Sequence, residues 1–197
     1  MRPQVAILIS GRGSNMGALL AARASIAADF VLVLSDQARA AGLLTAREAG
    51  LSVAVVEREK GQSKADHEAA MVAALKEAGV THIALAGFMR LLSADFLAQF
   101  QAVVNIHPSL LPAFKGLDTH ARALDAGVRV HGCSVHQVDA GMDTGPILAQ
   151  AGLEVRAGEN AEELAARVLR LEHALYPVAL ANFFAAQEAL LHKVDLR

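Results

Sequence analysis

The chain has 197 residues, 54% of them hydrophobic and 4% aromatic, with a formal net charge of −2. That length suits a single domain, and the apolar content excludes a disordered chain and predicts a large aliphatic core. The lack of a basic block argues against nucleic acid as a partner, while the lone Cys133 excludes an internal disulfide framework and suits a reducing cytoplasm.

The first half of the chain alternates short apolar runs with segments of helical periodicity. The runs are continuous, as in strands buried on both faces, and occupy residues 5–9, 30–34, 53–56, 83–86 and 102–104. Helices are predicted at 38–49 and 64–78, each followed by a glycine stop signal. The runs are too short to cross a bilayer, so we expect a cytoplasmic protein without membrane contact. The pattern predicts an α/β fold with an open, mainly parallel sheet flanked by helices and a Rossmann-like N-terminal half.

After Pro108 the regular alternation of apolar runs and helical segments ends. A loop at 108–116, rich in Pro and Gly, leads to a short helix and then to strands near 133–138 and 147–151. From residue 161 onward the periodicity is helical, and Pro177 is expected to end or kink that helix near Tyr176. Since no repeat or linker divides the chain, we expect a single domain over residues 1–197.

A glycine-rich loop at residues 10–15 joins the first predicted strand to a helix that starts near Met16. Glycines let the backbone approach a ligand closely, and the free N–H groups of a helix start favour an anion. Ser14 and Asn15 can add side-chain donors, so the loop predicts a cradle for a monophosphate. It also suits a plain capped turn. Asp36, which follows the second strand, leaves an NAD-type cofactor as a minor alternative.

Two polar side chains, Asn105 and His107, stand at the carboxyl end of a predicted strand, where open α/β sheets bind ligands. Their spacing directs both to the same side. Asn can donate to a developing oxyanion, and His can carry a proton. From a second polar loop at 139–145, Asp143 would favour the protonated form of His107. Both segments also suit structural roles, as an ordinary strand end and a surface turn.

A metal site is the other chemistry that this region raises, because four histidines lie close together in sequence at positions 107, 120, 131 and 136. However, the chain has no His-Glu-x-x-His motif, and His131 and His136 would point to opposite faces of a straight strand. We therefore expect no metal.

Six motifs then stand in a familiar order: ISGRGSN at 9–15, AGFMRLLS at 86–93, NIHPSLLP at 105–112, HGCSVH at 131–136, DTGP at 143–146 and EHALYP at 172–177. Together they make nearly the whole chain resemble the phosphoribosylglycinamide formyltransferase family. The resemblance implies one formyltransferase domain with a phosphate-binding N-terminal half and a folate-binding, catalytic C-terminal half. It implies formyl transfer from 10-formyltetrahydrofolate, a co-substrate, to the amino group of glycinamide ribonucleotide in purine synthesis.

The resemblance also implies roles for single residues. Catalysis would fall to Asn105, His107 and Asp143. The ribonucleotide would be bound by Gly13, Ser14, Asn15 and Glu172, the last near its amino group. The folate pocket would comprise Lys64, Met89, Arg90, Leu91, Leu92, Asn105, Asp139, Ala140, Gly141, Met142 and Asp143. Two departures leave local contacts open, since relatives often carry Arg at Lys64 and many carry His at Asp118.

Other functions stay open at this point. Methionyl-tRNA formyltransferase and formyltetrahydrofolate hydrolase share the Asn-x-His-Pro core and the catalytic Asp, but they normally add a C-terminal or an N-terminal domain. A non-catalytic nucleotide-binding module would use only the glycine loop. We expect the enzyme with a small phosphorylated substrate, because the glycine loop favours one and the 197 residues contain neither extra domain. We expect it to be a monomer or a homodimer.

Overall fold

One seven-stranded sheet forms the centre of the protein in a computed structural model, which describes residues 2–195 without the side chains of 188 and 190–195. Across the sheet the strands follow the order β3-β2-β1-β4-β5-β6-β7. β1 to β5 are parallel, and β6 and β7 are antiparallel. In chain order the strands are β1 (Gln4–Ile9), β2 (Asp29–Ser35), β3 (Ser52–Val55), β4 (His82–Leu85), β5 (Ala102–His107), β6 (Val130–Gln137) and β7 (Ile147–Glu154).

Helices cover both faces of the sheet. They are α1 (Ser14–Ala21), α2 (Gly42–Glu48), α3 (Lys64–Glu77), α4 (Ala94–Leu97), α5 (Thr119–Asp125) and α6 (Ala161–Asp195), with a short 3-10 turn at Arg23–Ser25. Successive side chains of β1 point to opposite faces of the sheet, and each face has its own hydrophobic core. Val5 and Ile7 pack with α1, α2 and α6, whereas Ala6 and Leu8 pack with α3 and α4. Within residues 2–195 no helix is both long and apolar enough to cross a membrane.

The predicted α/β fold with an open, mainly parallel sheet is confirmed. The strand order changes direction between β1 and β4, because β2 and β3 lie on one side of β1 while β4 and β5 lie on the other. In such sheets the loops that leave neighbouring strands on either side of this point diverge and open a crevice. The glycine loop after β1 and the segment at 86–93 after β4 therefore begin at the position where α/β proteins bind ligands.

Helix α2 starts later than the predicted 38–49, at Gly42. The reason is a close approach to the glycine loop, where the Gly42 N–H donates to the carbonyl oxygen of Gly11 at 3.1 Å. A Cβ at position 42 would lie 3.1 Å from the Cα of Gly13, closer than ordinary van der Waals contact. Because both residues are glycines, the start of α2 can pack directly against the backbone of the glycine loop.

Pro177 does not end the last helix near Tyr176, contrary to expectation, since α6 continues to Asp195. A proline inside a helix removes one hydrogen bond and costs about 3 kcal/mol. Here the flanking residues Tyr176, Ala179 and Leu180 are buried against the sheet. Burial of apolar area at about 25 cal/mol per Å² offsets the lost bond, so tertiary packing overrides the local signal.

Tyr176 fastens α6 to the middle of the sheet. Its hydroxyl lies 3.0 Å from the carbonyl oxygens of both Leu85 in β4 and Val104 in β5. The side chain is fully buried, and burial raises the pKa of the phenol, so it stays a donor at all ordinary pH values. These carbonyls directly precede the strand ends that carry the candidate site.

Replacing this tyrosine tests the attachment. Tyr176→Phe keeps the ring but leaves both carbonyls without their donor, which should lower the free energy of unfolding by about 1–2 kcal/mol. Urea denaturation followed by circular dichroism measures the change. An unchanged midpoint and slope would show that the hydroxyl contributes nothing.

Candidate active site

Asn105 and His107 lie on β5 and face the antiparallel strand β6. The observed strand is longer than the predicted 102–104 and includes both residues. Asn105 is the register partner of His136 on β6, and the Asn105 Nδ2 lies 3.2 Å from the His136 Nε2. The change from parallel to antiparallel pairing at this point therefore brings side chains of β5 and β6 together.

The loop after β6 adds a carboxylate to this cluster. Asp143 Oδ2 lies 3.4 Å from His107 Nδ1, and Asp143 Oδ1 lies 3.6 Å from His136 Nε2. The backbone N–H of Gly116 also donates to Asp143 Oδ2 at 2.9 Å. Asp143 adopts a left-handed backbone conformation with φ +50°, which Asp tolerates better than most residues. We call Asn105, His107, His136 and Asp143 the strand-end cluster.

The contacts of His107 indicate where its protons lie. Its Nε2 faces the carbonyl oxygen of Phe114 at 3.0 Å, and a carbonyl can only accept, so this nitrogen donates. Its Nδ1 faces the Asp143 carboxylate. A doubly protonated ring satisfies both contacts, whereas a neutral ring would turn a lone pair toward a negative charge. The geometry favours an imidazolium in this position.

Asp143 is held in its ionised form. Burial by itself raises the pKa of this carboxyl, but contact with His136, the hydrogen bond from Gly116 and the charges of both histidines outweigh burial. The pKa of Asp143 therefore lies below its ordinary value. At neutral pH the cluster combines a half-buried negative charge with the ring nitrogens of two histidines.

His136 is the member that the sequence did not identify. It is buried, its Nδ1 donates to the carbonyl oxygen of Gln137 at 2.8 Å, and its Nε2 lies between the Asn105 amide and the Asp143 carboxylate. Its position depends on the register between β5 and β6, which no local pattern reveals. The only signal was its place in the HGCSVH motif. Among the side chains that the structure describes, no three of the types His, Cys, Asp or Glu are arranged to hold a metal ion.

The loop at 108–118 is held against β6 by hydrogen bonds to the buried side chain of Ser134. Leu111 N–H donates to Ser134 Oγ at 2.9 Å, and that hydroxyl donates to the carbonyl oxygen of Ser109 at 2.7 Å. At the far end, Thr119 Oγ1 donates to the carbonyl oxygen of Pro108 at 2.8 Å. The loop can therefore present the Phe114 carbonyl to His107 and the Gly116 N–H to Asp143 in fixed positions.

A second histidine pair lies beneath this loop. His120 Nδ1 is 3.2 Å from His131 Nε2, and the His131 ring packs edge-on against Phe114 at 5.9 Å between centroids. Burial, together with the neighbouring charges of His120 and His107, lowers the pKa of His131 to about 4. His131 is thus neutral at physiological pH and serves to pack the loop.

The glycine loop leads directly from β1 into α1. Gly13 caps α1 with φ +70°, a conformation that favours glycine, and Ser14 is exposed at the start of the helix. Asn15 instead turns inward, where its Nδ2 donates to Glu172 Oε2 at 2.6 Å. Burial raises the pKa of Glu172 and the bond from Asn15 opposes that rise. The structure thus joins two of the predicted ribonucleotide residues to each other.

The segment at 89–92 presents apolar side chains to solvent. Met89 and Leu91 are 71% and 60% exposed, while Leu92 is buried. Met142, from the loop after β6, is also exposed. Large apolar side chains exposed on one segment, as Met89 and Leu91 are, are typical of a binding surface for an apolar ligand. Arg90, by contrast, is turned toward the protein and pairs with Asp36 at 2.6 Å.

Lys64 lies close in structure to the 89–92 segment. Its Nζ is 3.7 Å from Glu68 Oε1, and the same carboxylate oxygen accepts from the backbone N–H of Ser93 at 2.9 Å. The lysine side chain is half exposed, and its charge stands near the segment that follows β4.

The loop at 139–145 is organised by its own first residue. Asp139 Oδ1 accepts from Thr144 Oγ1 at 2.6 Å and from the N–H of Gly141 at 3.1 Å, while Ala140 is exposed. The bond from Thr144 is the main cause of a lowered pKa for Asp139. Asp139 thereby shapes the turn from which Asp143 reaches the histidines.

The shifted His131 predicts a pH dependence of stability. In the unfolded chain a histidine titrates near pH 6.5, whereas His131 in the folded protein titrates near 4. Between these values the unfolded state binds more protons, so stability should fall as the pH drops from about 6.5 to about 4. Urea unfolding at pH 4.5 and 7.5 measures the loss, and His131→Gln should reduce it. Equal losses in both proteins would contradict this origin.

The comparisons with known proteins agree with one another. Residues 3–180 match the family model described as Formyl transferase. The chain is 36% identical to the phosphoribosylglycinamide formyltransferase of Escherichia coli (strain K12), covering 96% of this chain and 90% of that protein. The crystal structure of phosphoribosylglycinamide formyltransferase from Brucella melitensis has a TM-score of 0.88 at 52% identity, covering 94% of this chain and 97% of that one.

A third relative is much longer. The chain is 42% identical to the trifunctional purine biosynthetic protein adenosine-3 of Gallus gallus over 180 residues, which are 90% of this chain. It spans 18% of the length of that relative. With a family model that matches most of its length and a bacterial relative covered almost end to end, the chain belongs to the formyl transferase family, among the phosphoribosylglycinamide formyltransferases.

Proposed function

We propose that the protein transfers the formyl group of 10-formyltetrahydrofolate to the amino group of glycinamide ribonucleotide, in the cytoplasm and without a metal. The products are formylglycinamide ribonucleotide and tetrahydrofolate. The observation that carries the proposal is the strand-end cluster, in which Asp143 lies beside both His107 and His136 and the Asn105 amide contacts His136. The names of its relatives in purine biosynthesis support the substrate pair.

The reaction begins when the neutral amine attacks the formyl carbon. A carbon–nitrogen bond forms, and the carbonyl electron pair moves to the oxygen, which becomes an oxyanion. The Asn105 amide and the His107 imidazolium are the donors that stabilise it. Asn105 is suited to this role because its Nδ2 makes only a 3.2 Å contact with His136, which it can exchange for a stronger bond to a negative oxygen.

Asp143 serves the proton movements. Its carboxylate lies 3.4 Å from His107 Nδ1 and keeps the imidazolium charged when the oxyanion forms. The ammonium produced by the attack loses its proton to solvent beside the same carboxylate. The oxyanion then re-forms the carbonyl, the bond to the folate nitrogen breaks, and that nitrogen takes up the proton that the solvent received from the ammonium.

Substrate binding is divided between the two sides of the site. The glycine loop and the first N–H groups of α1 bind the ribonucleotide phosphate. Glu172 accepts a hydrogen bond from the substrate amino group while Asn15 holds it in place at 2.6 Å. Met89, Leu91 and Met142 pack against the folate, with Lys64 near its acidic tail.

Removal of either oxyanion donor tests the mechanism. Asn105→Ala and His107→Ala should each lower kcat by about a hundred- to a thousandfold, because an oxyanion-hole donor is typically worth that much. Initial rates of formyl transfer measure the loss, and circular dichroism shows whether the variants fold. Asn182→Ala, on the exposed side of α6, is the control and should keep full activity. Near-normal turnover of folded His107→Ala would contradict the proposal.

The choice of acceptor is tested in the same assay. The wild-type protein should transfer formyl groups to glycinamide ribonucleotide much faster than to water or to methionyl-tRNA. A preference for water would indicate a hydrolase, and a preference for the tRNA would indicate a tRNA formyltransferase.

Glu172 should act on one substrate only. Glu172→Gln replaces an acceptor for the substrate amine, and the loss of a charged hydrogen bond should raise the KM for glycinamide ribonucleotide about tenfold. The KM for 10-formyltetrahydrofolate should not change. Glu162→Gln, an exposed change at the start of the same helix, is the matched control. Equal effects on both KM values would show that Glu172 does not bind the ribonucleotide.

A further inference from the structure

Asp36 is a buried carboxylate that the mechanism does not use. It directly follows β2 and is only 3% exposed. Its Oδ1 accepts from Ser10 Oγ at 2.6 Å, and its Oδ2 accepts from Arg90 Nε at 2.6 Å and from Gln37 Nε2 at 3.3 Å. Both oxygens are therefore engaged inside the protein, which argues against the ribose-binding role that its position after the second strand suggested.

The partners of Asp36 come from the two loops that frame the crevice. Ser10 is the first residue of the glycine loop, and Arg90 belongs to the segment after β4. Ser10 also makes direct bonds to that segment, because its Oγ accepts from the N–H of Met89 at 3.0 Å and its N–H donates to the Gly87 oxygen at 3.1 Å. Asp36 and Ser10 thus connect the ends of β1, β2 and β4 at the point where the strand order changes direction.

Burial of the Asp36 carboxylate costs free energy unless all of its partners are present. A charge taken out of water must be matched by an opposite charge and by hydrogen bonds, and removing one partner leaves the other uncompensated. Met89 and Leu91 are exposed and do not anchor the segment from its outer side. Its position relative to the glycine loop therefore depends on inner contacts, namely the backbone bonds to Ser10 and the pair between Asp36 and Arg90.

We propose that Asp36 is a positioning residue, which holds the apolar 89–92 segment at a fixed position relative to the glycine loop. The formyl donor is thereby bound at the correct distance from the phosphorylated acceptor. Asp36 touches neither substrate and acts through Arg90 and Ser10. This inference rests on the proposed function, which gives the 89–92 segment to the folate and the glycine loop to the phosphate.

Asp36→Asn tests this inference. The amide can still accept from Ser10 but no longer pairs with the Arg90 cation. Loss of a charged hydrogen bond should raise the KM for 10-formyltetrahydrofolate about tenfold, with kcat changed less than about threefold. Asp29→Asn is the matched control, because Asp29 begins the same strand and pairs with Arg2 at the opposite end of the sheet at 3.3 Å. The control should change neither constant.

A second variant keeps the inference testable if Asp36→Asn does not fold. Arg90→Gln breaks the same pair from its more exposed end and leaves Asp36 bonded to Ser10. It should reproduce the rise in KM. The double variant, Asp36→Asn with Arg90→Gln, should show the same KM as either single change, because all three remove one interaction. Effects that multiply would overturn the proposed coupling.

A purely structural role gives a different result. If Asp36 only stabilised the fold, Asp36→Asn would reduce the fraction of active enzyme, and the KM of the remaining enzyme would equal that of the wild type. That result overturns the inference. Calorimetric titration with a folate analogue that cannot transfer a formyl group separates the two proposals. Wild-type binding without formyl transfer would refute the proposed function alone, whereas equal Kd values for wild type and Asp36→Asn would refute the positioning role.

Discussion

The site depends on one carboxylate that lies between two imidazole rings. Asp143 is within 3.6 Å of nitrogens on both His107 and His136, and these contacts keep it ionised despite partial burial. A half-buried negative charge in turn holds a positive charge beside it. In the proposed mechanism, His107 is the cation that stands where a negative oxygen develops. Electrostatic preorganisation of this kind avoids the reorganisation that the same reaction would require in water.

The sheet makes this arrangement possible by changing its pairing. Parallel strands place their carboxyl ends at one edge, and they need a long crossover to reach a neighbour. β6 returns antiparallel beside β5, so His136 lies opposite Asn105 without any crossover, and the loop that follows can carry Asp143 back over the strand end. The glycine loop leaves the parallel part of the sheet, whereas the strand-end cluster forms where β5 meets the antiparallel β6. The cluster therefore draws on both parts of the sheet.

Much of this could be predicted from local patterns. Continuous apolar runs predicted the five parallel strands, and the polar residues after them predicted a site at the carboxyl ends of those strands. His136 and the anchoring role of Asp36 could not be predicted in this way, because both depend on contacts between segments far apart in sequence. The continuation of α6 past Pro177 could not be predicted for the same reason, since burial of its neighbours offsets the missing hydrogen bond. Roles for Glu172 and the 89–92 segment came from family resemblance, since their spacing alone carries no signature.

The bond between Asn15 and Glu172 joins residues 157 positions apart. A contact of such long range forms late, after the intervening chain has been ordered. While the chain is being synthesised, Asn15 lacks its partner until the last helix has emerged. The order of synthesis therefore separates the appearance of the glycine loop from that of the carboxylate it contacts. An unfinished chain holds Asn15 without the partner that fixes its side chain in the folded protein.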